Sequence, residues 1–417
     1  MDKQTLKSHR RKLLQIFSAT LSRLHGGYCV SNYLQSHPLP DQLVRVVAVG
    51  KAAGAMMEGA LQQLGTRLES GLVITRYGYG QQLNEHIQVI EASHPIPDAN
   101  SLTAGQALVE FVSDCDPSRS LLVLMSGGAS ALVDVLEDDV TIESLARINQ
   151  WLLSAPLTIQ QINAVRAGLS RIKSGKLLNY LNTPHCWQLT LSDVMGNDLS
   201  VVGSGLLVRP ASIVNVPVGL PDWIQSVTDR SATALPLEKN QNPNVQHVVL
   251  ADNHLACEQV QQLAEEQGLS VVENSTVEGE AEVAGRRCAR AIIDGSPGLY
   301  VWGGETVVAL PDEPGMGGRC QQLALAAAIE LAGRDDVLLL AAGTDGADGP
   351  QTEFGDVAGA IVDGQTVERA RAEGYDPANC LKRADAGRCL IASGDLLDTG
   401  PTGTNVNDLV LGLKIAK

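Results

Sequence analysis

Short apolar runs alternate with longer helical stretches through the first half of the chain, and no other feature limits the fold as strongly. The runs lie at residues 43–49 (LVRVVAV), 72–75, 87–90, 121–125 (LLVLM) and 187–191. Strands of a parallel sheet read as continuous apolar runs because helices cover both faces of the sheet. The pattern therefore predicts an α/β domain with a mostly parallel sheet, preceded by an amphipathic helix over residues 4–24.

A second alternating series follows a polar connection. Residues 217–246 are rich in Pro, Asn, Ser and Thr, which suits a connection better than a core element. A second α/β unit is predicted beyond it, with strands at 247–251, 299–302 and 337–342 and helices at about 254–267 and 280–293. We place the boundary near residue 240, which divides the chain into domains of residues 1–240 and 241–417.

Charge and cysteine content exclude several classes of protein. The 417 residues include 47 acidic and 31 basic side chains, a net charge of −16, which repels nucleic acids and anionic membranes. No apolar run is long enough to cross a bilayer and the start is too evenly charged for a signal peptide, so we expect a cytoplasmic address. The eight cysteines show neither a CxxC pair nor zinc-site spacing and are expected to be reduced thiols.

Two motifs in the first half follow predicted strands. In VVAVGKAAGAM (46–56), Lys51 comes directly after a strand and beside backbone donors at a helix N-terminus, so it can direct a point charge at an anion. The motif LLVLMSGGASAL (121–132) resembles a phosphate or carboxylate cradle formed by Ser126, Gly127, Gly128, Ala129 and Ser130. It matches neither a Walker A loop nor GxGxxG. The alternatives are an exposed lysine after a turn and a glycine turn that only packs a helix against a strand.

Charged and polar side chains follow in the same half. Asp193 and Asp198 come after the strand at 187–191. The stretch 158–178 contains Asn163, Arg166, Lys173 and Lys176. On a helix, Asn163 and Arg166 share one face, so both could reach the same ligand. The alternative is a solvated basic face.

The second half contains four glycine-rich motifs near predicted strand ends: GGET (303–306), GMGGR (315–319), GTDGADGP (343–350) and GPTGTNVNDL (400–409). Aspartates such as Asp345 and Asp348 can hold Mg²⁺, and Arg319 can neutralise charge on a transferring phosphoryl group. The structural alternatives are that either aspartate caps a turn, that Arg319 bridges to a carboxylate and that Asn405 caps the last helix.

Taken in order from about residue 46 to 413, these motifs resemble the glycerate 2-kinase family. The matching segments are GKAA, SHPIPD, SGGASAL, INAVRAGLSRIKSGKL, LSDV, GGET, GGR, GTDGADGP and GPTGTNVNDL. The resemblance implies a Rossmann-like N-terminal domain, a smaller C-terminal domain with a MOFRL region at about 298–413, and an active site in the cleft between them. It also implies ATP-dependent, Mg²⁺-dependent phosphorylation of the 2-hydroxyl of D-glycerate, giving 2-phosphoglycerate.

The resemblance also suggests roles for individual residues. Lys51 and Arg319 are expected to act on phosphoryl charge, and Asp193 and Asp345 to divide metal binding and base chemistry. Arg166 and the Ser126–Ser130 loop are candidates for holding the substrate carboxylate. The candidate nucleotide-binding residues are Gly343, Thr344, Asp345, Thr404 and Asn405. A small-molecule substrate and a homodimer are expected, with neither nucleic acid nor membrane as a partner.

The chain departs from the family pattern at three places. The usual Pro-Gly-Asp-Asp after LSDV is replaced by Met195 to Asp198, and the usual SGPT that follows later is replaced by Ser204, Gly205, Leu206 and Leu207. The usual Asn-Gln-Glu after GGR is replaced by Cys320, Gln321 and Gln322. These changes could alter metal affinity or substrate preference. Two other functions remain open: a hydroxypyruvate reductase using NAD(P)H, and a non-catalytic protein that binds a sugar acid or phosphosugar. The sequence disfavours the reductase, because no GxGxxG follows a strand with an acidic residue about twenty positions on.

Overall fold

The chain folds into two α/β units whose boundaries differ from those predicted. The computed structural model describes residues 3–155, 157–210, 219–231, 244–350 and 355–416. The first unit comprises His25–Ala251, and the second comprises Met1–Leu24 together with Asp252–Lys417. The amphipathic helix predicted at the start is confirmed as α1 (Lys3–Arg23), but it belongs to the second unit.

The first unit is built on a six-stranded sheet in which every neighbouring pair is parallel. Its strands are β1 (Val44–Val49), β2 (Leu68–Arg76), β3 (Ile87–Ala92), β4 (Ser120–Met125), β5 (Cys186–Leu191) and β6 (Val245–Ala251). Their order is β3-β2-β1-β4-β5-β6, the order of a Rossmann-like doubly wound sheet. The α/β class and the parallel sheet predicted from the apolar runs are therefore confirmed.

Seven helices are described in the first unit: α2 (Gly26–Ser36), α3 (Ala53–Leu64), α4 (Ala99–Ser113), α5 (Ala129–Leu132), α6 (Ile142–Ser154), α7 (Ile159–Leu169) and α8 (Asp222–Ser231). Their starting points follow from the sequence. Helix α7, for example, begins after Thr158, whose side chain accepts from the Gln161 N–H while the Gln161 side chain accepts from the Thr158 N–H. Such a reciprocal cap satisfies two backbone donors that a helix start otherwise leaves unpaired.

The second unit has a mixed sheet with the order β11-β10-β9-β12-β8-β7. Its strands are β7 (Val271–Glu280), β8 (Gly298–Val307), β9 (Val337–Gly343), β10 (Gly359–Asp363), β11 (Leu396–Leu397) and β12 (Asp408–Lys414). Its later helices are α9 (Asn253–Glu266), α10 (Ala281–Asp294), α11 (Arg319–Leu331), α12 (Thr366–Ala372), α13 (Pro377–Lys382) and α14 (Ala386–Ser393). Strands β7 and β8 pair in parallel, and the other neighbours pair antiparallel.

The second core is made mainly of small residues. Helix α11 buries a continuous row of alanine and leucine, and α10 packs closely on it because a Cβ at Gly285 would lie 2.2 Å from the Leu323 carbonyl oxygen. Burying one leucine side chain contributes about 1.5 to 3 kcal/mol. A chain with 3% aromatic residues thus fills its interior by close helix approach rather than by large rings.

Three sequence expectations are corrected. Strand β6 pairs with β5 and completes the first sheet, so the boundary falls after Ala251 rather than near residue 240. The stretch 217–246, expected to be a connection, includes α8, whose Ile224 is fully buried; residues 211–218 and 232–243 lie outside the described residues. No last helix follows Asn405, because residues Asp408–Lys414 form the central strand β12.

All eight cysteines are free thiols, and seven of them are buried. Among the helices of the described ranges, none combines the length and the apolar character needed to cross a membrane.

Candidate active site

The strand order of the first sheet places two of the predicted motifs side by side. Strands β1 and β4 are neighbours, and the chain leaves their carboxyl ends at Gly50 and Ser126. The Ser126 N–H donates to the Val49 carbonyl, and the Lys51 N–H donates to the Gly127 carbonyl, both at 3.0 Å. This is the point where the order of the strands reverses, which is where open α/β sheets bind ligands.

Gly50 is required for this close approach. Its φ is +128°, and a Cβ on it would lie 2.2 Å from Ser126 Oγ and 2.4 Å from the Ser126 carbonyl oxygen. The Ala52 N–H also donates to Ser126 Oγ at 3.0 Å. The fully buried Ser126 thus fastens the two loops together, and any larger residue at position 50 would push them apart.

The Lys51 side chain lies beside the glycine loop. A Cβ on Gly128 would be 3.2 Å from Lys51 Cγ and 3.1 Å from His94 Cδ2, so the lysine, the histidine and the loop meet at one place. The amides of Gly127 and Gly128 donate to no acceptor in the described part of the chain. Two backbone donors beside the Lys51 side chain are therefore available to an anion here.

The backbone donors directly beside Lys51 are used within the protein. The amides of Lys51 and Ala52 donate to the Gly127 carbonyl and to Ser126 Oγ, which holds the loop after β4 close to β1. The amides of Gly127 and Gly128 therefore remain the candidate donors to an anion.

Helix α7 places Arg166 in a half-buried position, and no counter-ion contacts it in the described part of the chain. Its Nε–H donates to Asn149 Oδ1 at 2.8 Å, and among the residues that the structure describes no carboxylate lies within 4.0 Å of the guanidinium. Burial lowers the pKa of Arg166, and the charge of Asp134 acts in the opposite direction. A half-buried guanidinium with one neutral partner is suited to binding an anion.

The other two basic residues of this region have structural partners. Lys173 Nζ lies 2.5 Å from Asp134 Oδ2, with both side chains 1% exposed, and burial lowers the pKa of this lysine. Lys176 donates to the carbonyls of Ala167 and Ser170 near the end of α7. The alternative of a solvated basic face is therefore wrong for Lys173, because it lies in the core.

The two aspartates after β5 have different surroundings. Asp193 is half-buried and follows the strand that neighbours β4, at the same edge of the sheet as Lys51. Asp198 accepts from the N–H and the hydroxyl of Ser200 and so caps a local turn. Of the pair, Asp193 remains the candidate for chemistry.

In the second unit the glycine motifs converge on the start of α11. Asp348 accepts from the backbone N–H groups of Cys320 at 3.0 Å and Gln321 at 2.8 Å, which caps α11 from another loop. A Cβ at Gly346 would lie 2.2 Å from the Gly400 carbonyl, so only glycine, with φ of +83°, lets these loops meet. Burial and the charge of Asp408 raise the pKa of Asp348 to about 6.

Arg319 is the first residue of α11 and is held by two carboxylates. Its Nε and Nη2 donate to the two carboxylate oxygens of Asp408 at 2.7 and 3.1 Å, and its Nη1 donates to Glu305. Burial opposes the charged form, but Asp408 and Glu305 outweigh it and raise the pKa of Arg319. The bridge to a carboxylate, which the sequence left open, is therefore present. Glu305 is 46% exposed and Asp408 only 5%.

The candidate nucleotide-binding residues lie around the end of β9. A Cβ on Gly343 would be 3.2 Å from Asp345 Oδ1 and 3.5 Å from Asp408 Oδ1. The Thr344 hydroxyl donates to the Asn407 carbonyl and accepts from the Val406 N–H, so it holds two loops together.

Thr404 and Asn405 complete this set. Both are buried, and the Thr404 hydroxyl has no hydrogen-bond partner within the described ranges. A buried hydroxyl without a partner is costly, which makes Thr404 the stronger candidate of the two for a ligand contact.

No complete metal site is formed in advance by the residues that the structure describes, since no group of three or more His, Cys, Asp or Glu side chains could hold an ion. Asp193 and Asp345, the two predicted ligands, belong to different units. Asp345 is 7% exposed, and one of its oxygens accepts from the Ala347 N–H. Mg²⁺ commonly binds one or two carboxylates together with substrate phosphates, so these donors fit an ion that arrives with a nucleotide.

Sequence reasoning missed several residues of the site. His94 lies against Gly128 and comes from the SHPIPD segment, for which the sequence suggests no role. Glu305 and Asp408 stand in the GGET and GTNVND motifs, but their pairing with Arg319 joins positions 14 and 89 residues apart. The sequence gives no signal for this pairing beyond the motifs themselves, because the pairing depends on the fold.

Comparison with known proteins supports the resemblance to the glycerate 2-kinase family. Residues 12–218 match the family described as a domain of unknown function (DUF4147), and residues 298–408 match the MOFRL family. A D-glycerate 2-kinase from Thermotoga maritima is 36% identical over 89% of this chain and 90% of its own length. A relative from Agrobacterium vitis, provisionally named a hydroxypyruvate reductase, is 32% identical over 96% of this chain and 94% of its own length.

A solved structure of glycerate kinase from Thermotoga maritima superposes with a TM-score of 0.81 at 32% identity and covers 98% of this chain and 100% of that one. The likeness thus extends over both units and includes the Lys51 and Arg319 motifs. With a relative of this identity matched over nearly its whole length, the chain belongs to the glycerate 2-kinase family.

Proposed function

We propose that this protein transfers the γ-phosphoryl group of ATP to the 2-hydroxyl of D-glycerate and releases 2-phosphoglycerate. The observation that supports this most directly is the meeting of Lys51 with the Gly127 and Gly128 amides at the switch point of the first sheet. Such a group of donors neutralises phosphoryl or carboxylate oxygens. Membership in the glycerate 2-kinase family gives the substrate class.

Phosphoryl transfer depends on positioning and charge neutralisation more than on covalent help from the protein. In this proposal Lys51 and Arg319 stabilise the charge on the transferring group. Asp193 orients the 2-hydroxyl and accepts its proton. Asp408 holds Arg319 in place through its two oxygens.

The substrate and the nucleotide have separate holders in this proposal. Arg166, with the SGGAS loop, binds the carboxylate of glycerate. The nucleotide contacts Gly343, Thr344, Asp345, Thr404 and Asn405. Asp193 and Asp345 would hold Mg²⁺, which when bound neutralises charge on the phosphates.

The departure at residues 320–322 lies in the core and leaves this proposal intact. Cys320 is buried with its pKa raised well above the usual value by burial, and the Gln322 side chain donates to the Leu381 carbonyl. These side chains support the packing of α11. We therefore do not assign them to metal binding.

A reductase is the second candidate. It is favoured by the strand order of the first sheet, which dinucleotide-binding domains also have, and by the reductase name of the Agrobacterium vitis relative. The loop after β1 reads GKAAG rather than GxGxxG, which disfavours it. Sustained oxidation of NADH in the presence of hydroxypyruvate would support the reductase and contradict the kinase.

The kinase is tested by coupled ADP release with D-glycerate, L-glycerate, D-lactate and glycerol. We expect release with D-glycerate that depends on both ATP and Mg²⁺, and none with glycerol. Equal rates with and without D-glycerate would contradict the proposal. An ADP readout that contains no nicotinamide nucleotide separates this outcome from reductase activity.

A further inference from the structure

Three consecutive residues near the SGGAS loop have left-handed backbone conformations. Their φ angles are +57° at Gly203, +60° at Ser204 and +60° at Gly205. Glycine adopts this conformation readily, whereas serine does so at a cost. The segment is fixed by hydrogen bonds from the Ser174 N–H to the Ser204 carbonyl and from the Gly175 N–H to the Gly205 carbonyl. A serine held in this conformation between two glycines points to a use for its hydroxyl.

The Ser204 hydroxyl connects the SGGAS loop to α7. Its Oγ lies 2.7 Å from Ser130 Oγ and 3.4 Å from Asn163 Oδ1. These contacts occupy the oxygen of the Asn163 amide, whereas its Nδ2 is buried and has no partner among the described residues. A row of polar groups thus ends in an unused donor beside the loop that follows β4.

The side chains around Asn163 carry more positive than negative charge, with Lys173 and Asp134 buried and Arg166 half-buried. Arg166 lies one helical turn from Asn163 on α7, and Lys173 and Asp134 form a buried ion pair that acts electrostatically on it. Two cations thus share one carboxylate, whose Oδ1 has no hydrogen-bond donor in the described ranges. Because an uncompensated charge is costly in the core, this group is suited to a bound anion.

We propose that Asn163 binds the substrate carboxylate together with Arg166 and the SGGAS loop, that Ser204 positions Asn163, and that they make the site select short hydroxycarboxylates over neutral polyols. Asn163 Nδ2 donates to the carboxylate. The Ser204 hydroxyl accepts from Ser130 Oγ and donates to Asn163 Oδ1, so it holds the Asn163 amide in this orientation. This inference rests on the proposed function for its substrate class. It adds two residues, Ser204 and Asn163, as determinants of acceptor specificity.

The test measures binding of D-glycerate, D-lactate and glycerol by calorimetry in the absence of ATP. Two variants remove the proposed contacts: Ser204→Gly deletes the hydroxyl while suiting the left-handed backbone, and Asn163→Asp replaces the amide donor with a negative charge. The matched controls are Ala384→Gly, at another left-handed position with φ of +49°, and Asn179→Asp, on an exposed residue.

We expect the wild-type protein to bind both acids and not glycerol, and each variant to bind D-glycerate at least about tenfold more weakly, as loss of a hydrogen bond to a charged group predicts. The thermal unfolding midpoint of the Ser204→Gly protein should stay the same or rise. If Ser204 had a purely structural role, weaker binding would instead come with a lower midpoint. In ADP release, the KM for D-glycerate should rise while the KM for ATP stays unchanged.

Unchanged D-glycerate binding in the folded Ser204→Gly protein would overturn the inference, as would wild-type binding of glycerol as tight as that of D-glycerate, or no binding of either acid. If Asn163→Asp does not fold, Ser204→Gly alone decides. A wild-type protein that binds both acids with the expected losses in the variants, but releases no ADP, would retire the kinase proposal and support the carboxylate site.

Discussion

At the scale of single residues, the two cations assigned to the phosphoryl group have different surroundings. Lys51 is held by its backbone, which bonds to the SGGAS loop, and its side chain lies beside Gly128 and His94. Arg319 instead belongs to a network with Asp408 and Glu305. Removing Lys51 and removing Arg319 should therefore have different consequences, although both side chains are assigned the same chemical role.

Replacing Lys51 with alanine should lower turnover in the ADP-release assay by about a hundredfold or more, as removal of a charge-stabilising donor does in other active sites. Lys51→Arg should restore only part of the rate, because a planar guanidinium does not replace a compact ammonium group. Lys382→Ala, at an exposed position of α13, serves as the control. Turnover of the Lys51→Ala protein near the wild-type value would contradict the assignment.

Replacing Arg319 with alanine should reduce both turnover and stability. The carboxylate of Asp408 would remain buried without its partner, which costs on the order of 3 kcal/mol in the free energy of unfolding. Urea unfolding measures this loss, and Arg319→Ala combined with Asp408→Asn should recover part of it. Arg290→Ala removes a 66% exposed arginine from Glu330, which keeps its second partner Arg286, and should cost less than about 1 kcal/mol. An equally small loss for Arg319→Ala would show that the network does not stabilise the fold.

Part of the site could be predicted at this scale and part could not. Lys51 and the SGGAS loop each follow an apolar run, and parallel strands bring such loops to one edge of the sheet. The roles of Ser204 and Asp408 could not be predicted, because the first depends on a left-handed backbone and the second on pairing across 89 residues.

At the scale of elements, the start of α11 depends on a cap that comes from a different loop. Asp348 accepts from the Cys320 and Gln321 amides, and burial beside Asp408 raises its pKa from 3.8 to about 6. The folded protein therefore binds this proton more tightly than the unfolded chain does. The contribution of Asp348 to stability must fall as the pH rises from about 4 to about 6.

The Asp348→Asn variant tests this direction of the pH dependence of stability. Asparagine resembles the protonated carboxyl, so the free energy of unfolding of the variant relative to wild type should rise between pH 4.5 and pH 7.5, by at most about 3 kcal/mol. Urea unfolding at several pH values gives the comparison. A difference that stays constant, or that falls as the pH rises, would mean that Asp348 is ionised in the folded protein at every pH tested.

Strand prediction succeeded or failed for identifiable reasons. Strands β1 to β5 are apolar runs that end at polar or glycine-containing turns, so local pattern predicts them. Strand β6 is also recognised from its sequence, but the local sequence pattern does not show that it pairs with β5. Strand β12 is not among the predicted strands, and the sequence left open that Asn405 caps a last helix, because a short run buried on both faces has the same pattern in either form.

At the scale of the whole molecule, each unit contributes one cation to the proposed reaction. Lys51 belongs to the first unit and Arg319 to the second. If both stabilise one transition state, removing the second after the first should cost less than it does alone. The turnover of the Lys51→Ala/Arg319→Ala protein should therefore exceed the product of the two single fractional rates. Strictly multiplicative losses would indicate that the two residues act independently.

The chemistry assigned to the whole chain is ATP-dependent phosphorylation of D-glycerate at its 2-hydroxyl. Phosphorus and proton NMR of the product, formed by purified wild-type protein from ATP, Mg²⁺ and D-glycerate, tests this most directly. Our account predicts a single phosphomonoester whose phosphorus couples to the proton on carbon 2. A product whose phosphorus couples to the two protons on carbon 3, or the absence of any new phosphomonoester, would contradict it.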